Sequence, residues 1–552
     1  MSEKIKITIV FENEELNNGV DGLEGQSVIV THDSSVTIMS TLLKNDLLNG
    51  SFCGGRGDCG RCRIQFLQGA TYPTPLERKV MSPAELRQGY RLACLAKPKD
   101  DCMIKLALLD APKIAIVSDV IEVTESVDCM GQENSRTKKH KPDVTESDEP
   151  GMVNVSEIEQ MENNETGVMI AVDLGTTTIA MQLMEMNTGR VIDTYCEMNP
   201  QRRYGADVLS RITASCEGNR EILQKLVVEV LERGVARFRK QAGSVKCMCI
   251  AGNTTMEHLL MGYDVSSLGS SPFTPVEIGL QEYRHPEWNF TVWLTPGIST
   301  FVGGDIVAGL YAMGMLTGQL QGQSAELSGH VRQKVCFSQA EPSLLIDLGT
   351  NGEMAITDGV HMTVTATAAG PAFEGGAGAG IVGSDMIACV AELLKQGILD
   401  ETGLLAEPFF TEGVSVRAAG GKATPIHITQ HDIRSLQMAK AAVRAGVEVL
   451  LERMKNFRQH GHVYLAGGFG YYLDVEAAFR IGLLPEYMRG RVKAVGNTSL
   501  MGAFRIGRDL WQHEVDRQTL EQSLSSVESI NLAKQSAFEQ LYIKYMNFEE
   551  YQ

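Results

Sequence analysis

No stretch of the 552-residue chain approaches the roughly 20 consecutive apolar residues that a membrane-spanning helix needs, so no membrane partner is expected. The opening MSEKIKITIVFENEE has neither the apolar core nor the cleavage site of a secretory signal, and the expected location is cytoplasmic. Basic residues are outnumbered, 50 Lys and Arg against 68 Asp and Glu, for a formal net charge of −18. So acidic a field repels nucleic acid, and no nucleic-acid partner is expected. The P-loop string GxxxxGK[ST] is also missing, which excludes that way of cradling a phosphate.

What the chain does have is length for two to four domains, 55 glycines and twelve cysteines. Glycine suits folds whose main chain must approach a ligand closely. Four cysteines cluster and eight are scattered; scattered thiols in a cytosolic chain are usually reduced and buried. Cys102, Cys247 and Cys249 fall in strands and read as core residues, while His258 and His431 read as structural.

Residues 4–11, 26–31, 64–68 and 103–106 read as strands and 36–46 as a short helix, wrapped around a Gly/Cys-rich loop at 50–62. They define a β-rich domain over 1–108. Between 110 and 165, fourteen acidic residues stand against five basic ones, so 109–165 reads as a linker with a flexible centre near 129–152. Its beginning, KIAIVSDVIEV, is apolar enough for a strand or two. Beyond it lies an internal repeat. VMIAVDLGT (168–176) and SLLIDLGT (343–350) are each an apolar strand followed by an Asp-Leu-Gly-Thr turn, 174 residues apart. A second pair, strand 245–250 with AGNTT and strand 462–465 with AGGFG, follows the same logic. Two copies of one α/β plan imply a duplicated lobe with a cleft between, 166–340 and 341–552, the second ending in a helical tail.

Cys53, Cys59 and Cys62 share one loop with spacing Cys-x5-Cys-x2-Cys, and Cys94 follows after 31 residues. Three thiolates on a Gly-rich loop can wrap a small cluster while a fourth closes it, and backbone N–H groups freed by Gly54, Gly55, Gly57 and Gly60 can face the sulfides. A zinc site would favour two tight Cys pairs or Cys/His pairs, and no histidine is near. The pattern resembles [2Fe–2S] ferredoxins with the x5 spacing of the adrenodoxin and putidaredoxin class.

In Asp173-Leu-Gly-Thr-Thr-Thr178 a tight turn joins two strands, where Gly175 and the following amides can face a phosphate and Thr176, Thr177 and Thr178 add hydroxyls. Asp173 ends a buried strand, a costly place for a carboxylate unless a cation compensates. Hydrated Mg²⁺ held by one or two carboxylates and phosphates does so. Asp347 repeats the arrangement. These strings resemble the phosphate and adenosine motifs of the actin/Hsp70/sugar-kinase superfamily. The resemblance implies that Asp173 and Asp347 hold Mg²⁺ and orient the attacking water. Gly175, Thr176, Thr177, Thr178, Asn253, Gly349, Thr350, Asn351, Gly352, Gly467 and Gly468 would then contact ATP. Asp305 in VGGDIVAG is either a water-orienting base or a helix N-cap.

Strings across nearly the whole chain, among them NPQRRYGADVLSRI (199–212), AGNTTMEHLLMG (251–262), FVGGDIVAG (301–309), DLGTNGEMAI (347–356), TAAGPAFEGG (367–376), DIRSLQMAKAAVRAG (432–446) and LAGGFGYYLD (465–474), resemble the ATP-dependent reductive activators of corrinoid proteins. That resemblance implies a β-grasp ferredoxin domain, a linker and a two-lobed, ribonuclease H-like ATPase. It implies transfer of one electron from a [2Fe–2S] cluster to inactive Co(II) on a partner corrinoid protein, restoring Co(I). An upstream electron donor and a homodimer are implied as well. GAGAGIVGSDMIACV (376–390) departs from the family pattern and, with Glu374, is assigned no role. The alternatives are an activator of another low-potential enzyme, like those of 2-hydroxyacyl-CoA dehydratases, and a non-enzymatic redox-sensing module. Those activators lack a ferredoxin domain, so the cysteines separate the first; intact Asp173 and Asp347 speak against the second.

Overall fold

The computed structural model describes residues 4–12, 27–45, 47, 57, 62–107, 167–242, 244–316, 342–370, 373, 383–416, 426–454, 456–467, 470 and 473–548. The expected linker, 109–165, with its strand-like beginning, lies outside the described residues.

The N-terminal unit is one five-stranded sheet: β1 (Lys4–Glu12), β2 (Ser27–Asp33), β3 (Arg63–Gln68), β4 (Tyr90–Leu92) and β5 (Cys102–Ala107), in the order β2-β1-β5-β3-β4. The hairpin β1–β2 is antiparallel and β1–β5 parallel, with helix Ile38–Lys44 after β2: a β-grasp arrangement. Alternation in KIKITIVF sends Ile7 and Ile9 into a core with Ile38, Leu42, Ile64, Leu92 and Ile104. Cys102 packs there too, its thiol pushed up to about 11 by burial and by Asp101.

The two later sheets share one topology. The first contains β6 (Val168–Leu174), β7 (Thr178–Glu185), β8 (Val191–Met198), β9 (Val245–Gly252), β10 (Gln281–Tyr283) and β11 (Thr291–Leu294), ordered β10-β11-β9-β6-β7-β8. The second contains β12 (Ser343–Leu348), β13 (Gly352–Thr357) and β14 (Met362–Thr367). After a two-stranded excursion, β15 (Val414–Val416) with β16 (Ile426–Ile428), it resumes with β17 (His462–Ala466), β18 (Val492–Gly496) and β19 (Glu528–Ser529). Its order is β18-β17-β12-β13-β14-β19. In each, three antiparallel strands are followed by two parallel ones on the far side of the first strand, the ribonuclease H-like order, and the repeated Asp-Leu-Gly-Thr segment is the central strand's end.

The central strands are buried on both faces, which is why they read as unbroken apolar runs. Ile170, Val172 and Leu174 point to helix Arg220–Arg239 and its Val227 and Leu231. Met169 and Ala171 point the other way, into a core shared with Leu345, Ala355 and Val364 of the second sheet. Asp173 and Asp347 continue these inward rows, two residues beyond Ala171 and Leu345. Cys247 and Cys249 lie in the same shared core, as core thiols.

Two helices cross between the sheets. Gly304–Ala312 follows the first sheet's β11, and Thr498–Trp511 follows the second sheet's β18. The crossing is close because Gly502 has no side chain: a Cβ there would overlap the Ala308 carbonyl. Tyr311 Oη donates to Asp509 Oδ2 at 2.6 Å across the same crossing. The tail after Gly502 is largely helical, with Arg517–Leu524 and Ser536–Lys544, but it also lays β19 along the edge of β14.

Candidate functional site

The first turn, Gly175-Thr176-Thr177, is tight enough that a Cβ on Gly175 would lie 2.6 Å from the Thr178 carbonyl oxygen. It is held from beneath. Asn199 donates from Nδ2 to the Gly175 oxygen at 2.9 Å, and its backbone N–H to the Thr177 oxygen at 2.8 Å. Arg211, fully buried, donates to the Thr176 oxygen and, through Nε, to the Gly205 oxygen at 3.0 Å. Asn253 caps helix Thr254–Met261 by accepting from the Met256 N–H, and its Nδ2 donates to Thr176 Oγ1 at 3.0 Å. Asn253 thereby ties the cap of that helix to the first turn.

The second turn comes from the other sheet, with Gly349 N–H donating to the Asn351 oxygen at 3.0 Å. The two turns meet: Thr177 Oγ1 and Thr350 Oγ1 are 3.4 Å apart although 173 residues separate them. Asp173, Asp347 and Asp305 gather beneath. Burial pushes Asp173 up to about 6, against the hydrogen bond from Asn497, and Asp347 up to about 8 with help from Asp305 and Asp173. Asp305 is raised by burial and then by Asp173. Glu257 and Glu353 are raised well above the carboxylate range by burial, each also feeling Asp305. Opposed carboxyls in one low-dielectric cleft hold protons because ionising all of them is costly.

Asp305 is not the cap of its helix. The N-cap is Gly303, and Asp305 sits in the first turn with Oδ1 accepting from the Ile306 N–H at 2.8 Å. Gly303 and Gly304 let this turn lie flush against the neighbouring strand ends: a Cβ on Gly303 would come within 2.5 Å of Asn253 Cα, and one on Gly304 would strike Thr295 and Glu257. Gly467, at φ +86°, lies against Asp347, whose Oδ1 would be 2.6 Å from a Cβ there. A Cβ on Gly352 would lie 3.0 Å from Val443 of helix Gln430–Glu452. Gly468 lies outside the described residues.

Cys62 and Cys94 are buried and adjacent, because the Ala93 N–H donates to the Cys62 oxygen at 2.7 Å. The Met39 N–H donates to the Ala93 oxygen, anchoring helix Ile38–Lys44 on the same turn. Glu77 accepts from the Leu92 N–H at 2.8 Å and holds β4, from which Cys94 extends. Gly57, at φ +83°, fits beneath Leu95, where a Cβ would be 2.7 Å from Cδ1. Cys53 and Cys59 lie outside the described residues. His258 is structural, as expected: its Nδ1 bonds the Thr254 oxygen and its Nε2 accepts from the Val276 N–H at 3.0 Å, which fixes a neutral ring.

Asn497, Asn199, Arg211 and Glu353 were not among the expected site residues. One signal pointed to Asn497: Gly496-Asn497-Thr498 repeats Gly252-Asn253-Thr254. Both asparagines cap helices, and both donate to the first turn's segment, Asn497 Nδ2 reaching Asp173 Oδ2 at 2.7 Å.

A β-grasp domain with paired cysteines, joined to two ribonuclease H-like lobes around an acidic cleft, defines a ferredoxin-like unit fused to an actin-like ASKHA domain. Family models agree: a 2Fe-2S iron-sulfur cluster binding domain over 22–99, the RACo middle region over 168–317, and the C-terminal domain of RACo, the ASKHA domain, over 341–379 and 377–552. The chain carries the domains of the RACo family, two of whose models together span 168–317 and 341–552. It is 29% identical over 399 residues to the corrinoid activation enzyme RamQ of Eubacterium limosum, spanning 60% of this chain and 63% of that one. To a [Co(II) methylated amine-specific corrinoid protein] reductase of Methanosarcina barkeri it is 23% identical over 393 residues, 60% and 68% of the two chains. A solved reductive activator for corrinoid, iron-sulfur protein shares the fold over 98% of both chains, with TM-score 0.57 and 23% identity. No helix among the described residues is long and apolar enough to cross a membrane.

Proposed function

We propose that the chain couples ATP hydrolysis to the one-electron reduction of a partner corrinoid protein's cobalt, from inactive Co(II) to Co(I). The observation that carries this reading is the meeting of two Asp-Leu-Gly-Thr turns at 3.4 Å above three carboxyls, on the same polypeptide as a cysteine-bearing ferredoxin-like domain. The names of the two relatives support it.

Cys53, Cys59, Cys62 and Cys94 would hold a [2Fe–2S] cluster, which supplies a one-electron carrier when bound. The convergence of Cys62 and Cys94, with Gly57 seated against Leu95 beside them, fits that group. Asp173 and Asp347 would hold Mg²⁺. A cleft that raises the proton affinity of its carboxyls also favours a divalent cation. Mg²⁺ keeps water and phosphate oxygens as most of its ligands, so one or two carboxylates suffice to hold it. Thr176, Thr177, Thr350 and the turn amides would clamp phosphates, and Asp305 would orient the attacking water.

The fusion has an energetic logic. Ferredoxin potentials lie near about −400 mV, the corrinoid couple lies lower, and each 100 mV uphill costs about 2.3 kcal/mol per electron. Two lobes that close on nucleotide can bias the partner toward accepting the electron. An upstream donor, a cytoplasmic setting and a homodimer complete the reading. Its test is to mix reduced holoprotein with a Co(II) corrinoid protein and follow the cobalt spectrum. Co(I) is expected with MgATP and not without it, and Asp347→Ala should abolish it while the cluster stays reducible. Equal cobalt reduction in nucleotide-free buffer would overturn the proposal.

A further inference from the structure

The side chain of Asn497 serves two masters in two lobes. It stands at the end of β18, and its Oδ1 accepts from the Leu500 N–H at 2.8 Å, capping the crossing helix Thr498–Trp511. Its Nδ2 reaches Asp173, 324 residues away at the end of the first lobe's central strand, at 2.7 Å. The same helix continues against the first lobe. Ser499 Oγ donates to the Asp305 oxygen at 3.1 Å, and Gly507 lies so close to Cys249 Cβ that a Cβ would be 2.7 Å from it. Two of the three cleft carboxyl residues are thus held by the first turn of one second-lobe helix: Asp173 through its side chain and Asp305 through its backbone.

We propose that Asn497 is a positioning residue for ATP hydrolysis that acts across the lobe boundary, holding the Asp173 carboxylate in register with the second lobe. The inference rests on the proposed function and adds to it a residue outside the phosphate and adenosine motifs. The chemistry is simple. A carboxylate oxygen that accepts from a rigid amide has one lone-pair direction occupied, which leaves the other oxygen to face the cleft. Because the amide is anchored by a helix cap, any shift of the helix moves the carboxylate. Rearrangement of the lobes is thereby transmitted to the group proposed to hold the metal.

Capping and positioning separate by substitution, since Asp and Ser cap helices about as well as Asn. Asn497→Asp keeps the cap but turns an acceptor toward Asp173. Asn497→Ser keeps the cap but is too short to span to it. Asn497→Ala removes both. In full-length holoprotein, Asp and Ser variants are expected to melt within about 2 °C of wild type, while ATP turnover falls about 10- to 100-fold, the range for losing a hydrogen bond to a charged group. The KM for ATP should stay within about twofold, because the phosphate turns are intact, and the Mg²⁺ concentration for half-maximal rate should rise. The Ala variant should lose turnover and melt earlier.

Wild-type kinetics in both Asp and Ser variants would leave Asn497 as a helix cap only and overturn the inference alone. Failure of both to fold, with the cap intact, overturns it too, since the contact would then be structural. A wild-type chain that hydrolyses no ATP overturns the proposed function, and the inference falls with it.

Discussion

Replacing Gly467 by Ala puts a single methyl group where the structure has least room beside the cleft. Gly467 has φ +86°, and the added Cβ would meet Asp347 Oδ1 at 2.6 Å and the Leu348 oxygen at 2.9 Å, where ordinary contact begins near 3.4 Å. The left-handed backbone costs an alanine roughly 1–2 kcal/mol, and forcing atoms into a packed site adds about 1–3 kcal/mol. A total near 3 kcal/mol lowers the melting temperature of the domain by roughly 6–12 °C, at about 2–4 °C per kcal/mol for 150–250 residues. Gly490 supplies the control: its φ is +78°, but nothing lies within 4 Å of a Cβ there. Gly490→Ala should lose only the backbone part and keep its ATP turnover. Gly467→Ala should lose both parts and, because the methyl displaces the Asp347 carboxylate, most of its turnover. Thermal unfolding and steady-state ATP hydrolysis on both variants decide the matter. Equal melting of the two, with turnover retained in Gly467→Ala, would refute the argument that this glycine exists to seat Asp347.

Three further outcomes follow from the same geometry. Arg211→Lys cannot serve the Thr176 and Gly205 oxygens with one fork, so stability should fall by about 1.5–3 kcal/mol and the KM for ATP should rise; unchanged values of both would show that the turn holds its own shape. Cys62→Ser should remove the visible cluster absorbance while ATP hydrolysis persists, and loss of both activities would contradict a separate ferredoxin-like unit. Asp173 and Asp347 have native values of about 6 and 8 against an ordinary 3.8, so the folded state binds their protons more tightly. Their contribution to stability is full below about pH 4 and is lost as pH rises through 6 and 8. Without Mg²⁺ and nucleotide, the melting temperature should therefore fall as pH rises from about 4 to 8 and level off above that, and Asp347→Asn should flatten the stretch from about 6 to 8; an unaltered slope there in that variant would remove Asp347 as the cause.

How much of this could be read along the chain depends on how local each cause is. Strands β6 and β12 announce themselves because both faces are buried, and the Asp-Leu-Gly-Thr turns repeat because each must reverse the chain within three residues. Cys62 and Cys94 were legible from spacing alone. Of the two readings of Asp305, the helix cap falls because Gly303 takes that position, a matter of one residue's backbone that composition does not encode. The room that Gly352 leaves for Val443, on another element, had no signal along the chain. The bond from Asn253 to Thr176, 77 residues away, likewise had none.

The amino-acid sequence by itself determined the local devices: apolar strands, glycine turns, a cysteine loop, and a doubled α/β plan. Those depend on backbone geometry and burial within a few residues, so they survive being read in one dimension. Only the tertiary structure decided what the devices address. Thr177 meets Thr350 and Asn497 reaches Asp173 because two sheets with a shared strand order face each other across a helix crossing seated on Gly502. Contacts between residues 173 and 324 positions apart are set by how the lobes pack, and hydrogen-bond geometry at 2.7 to 3.4 Å has no signature in spacing.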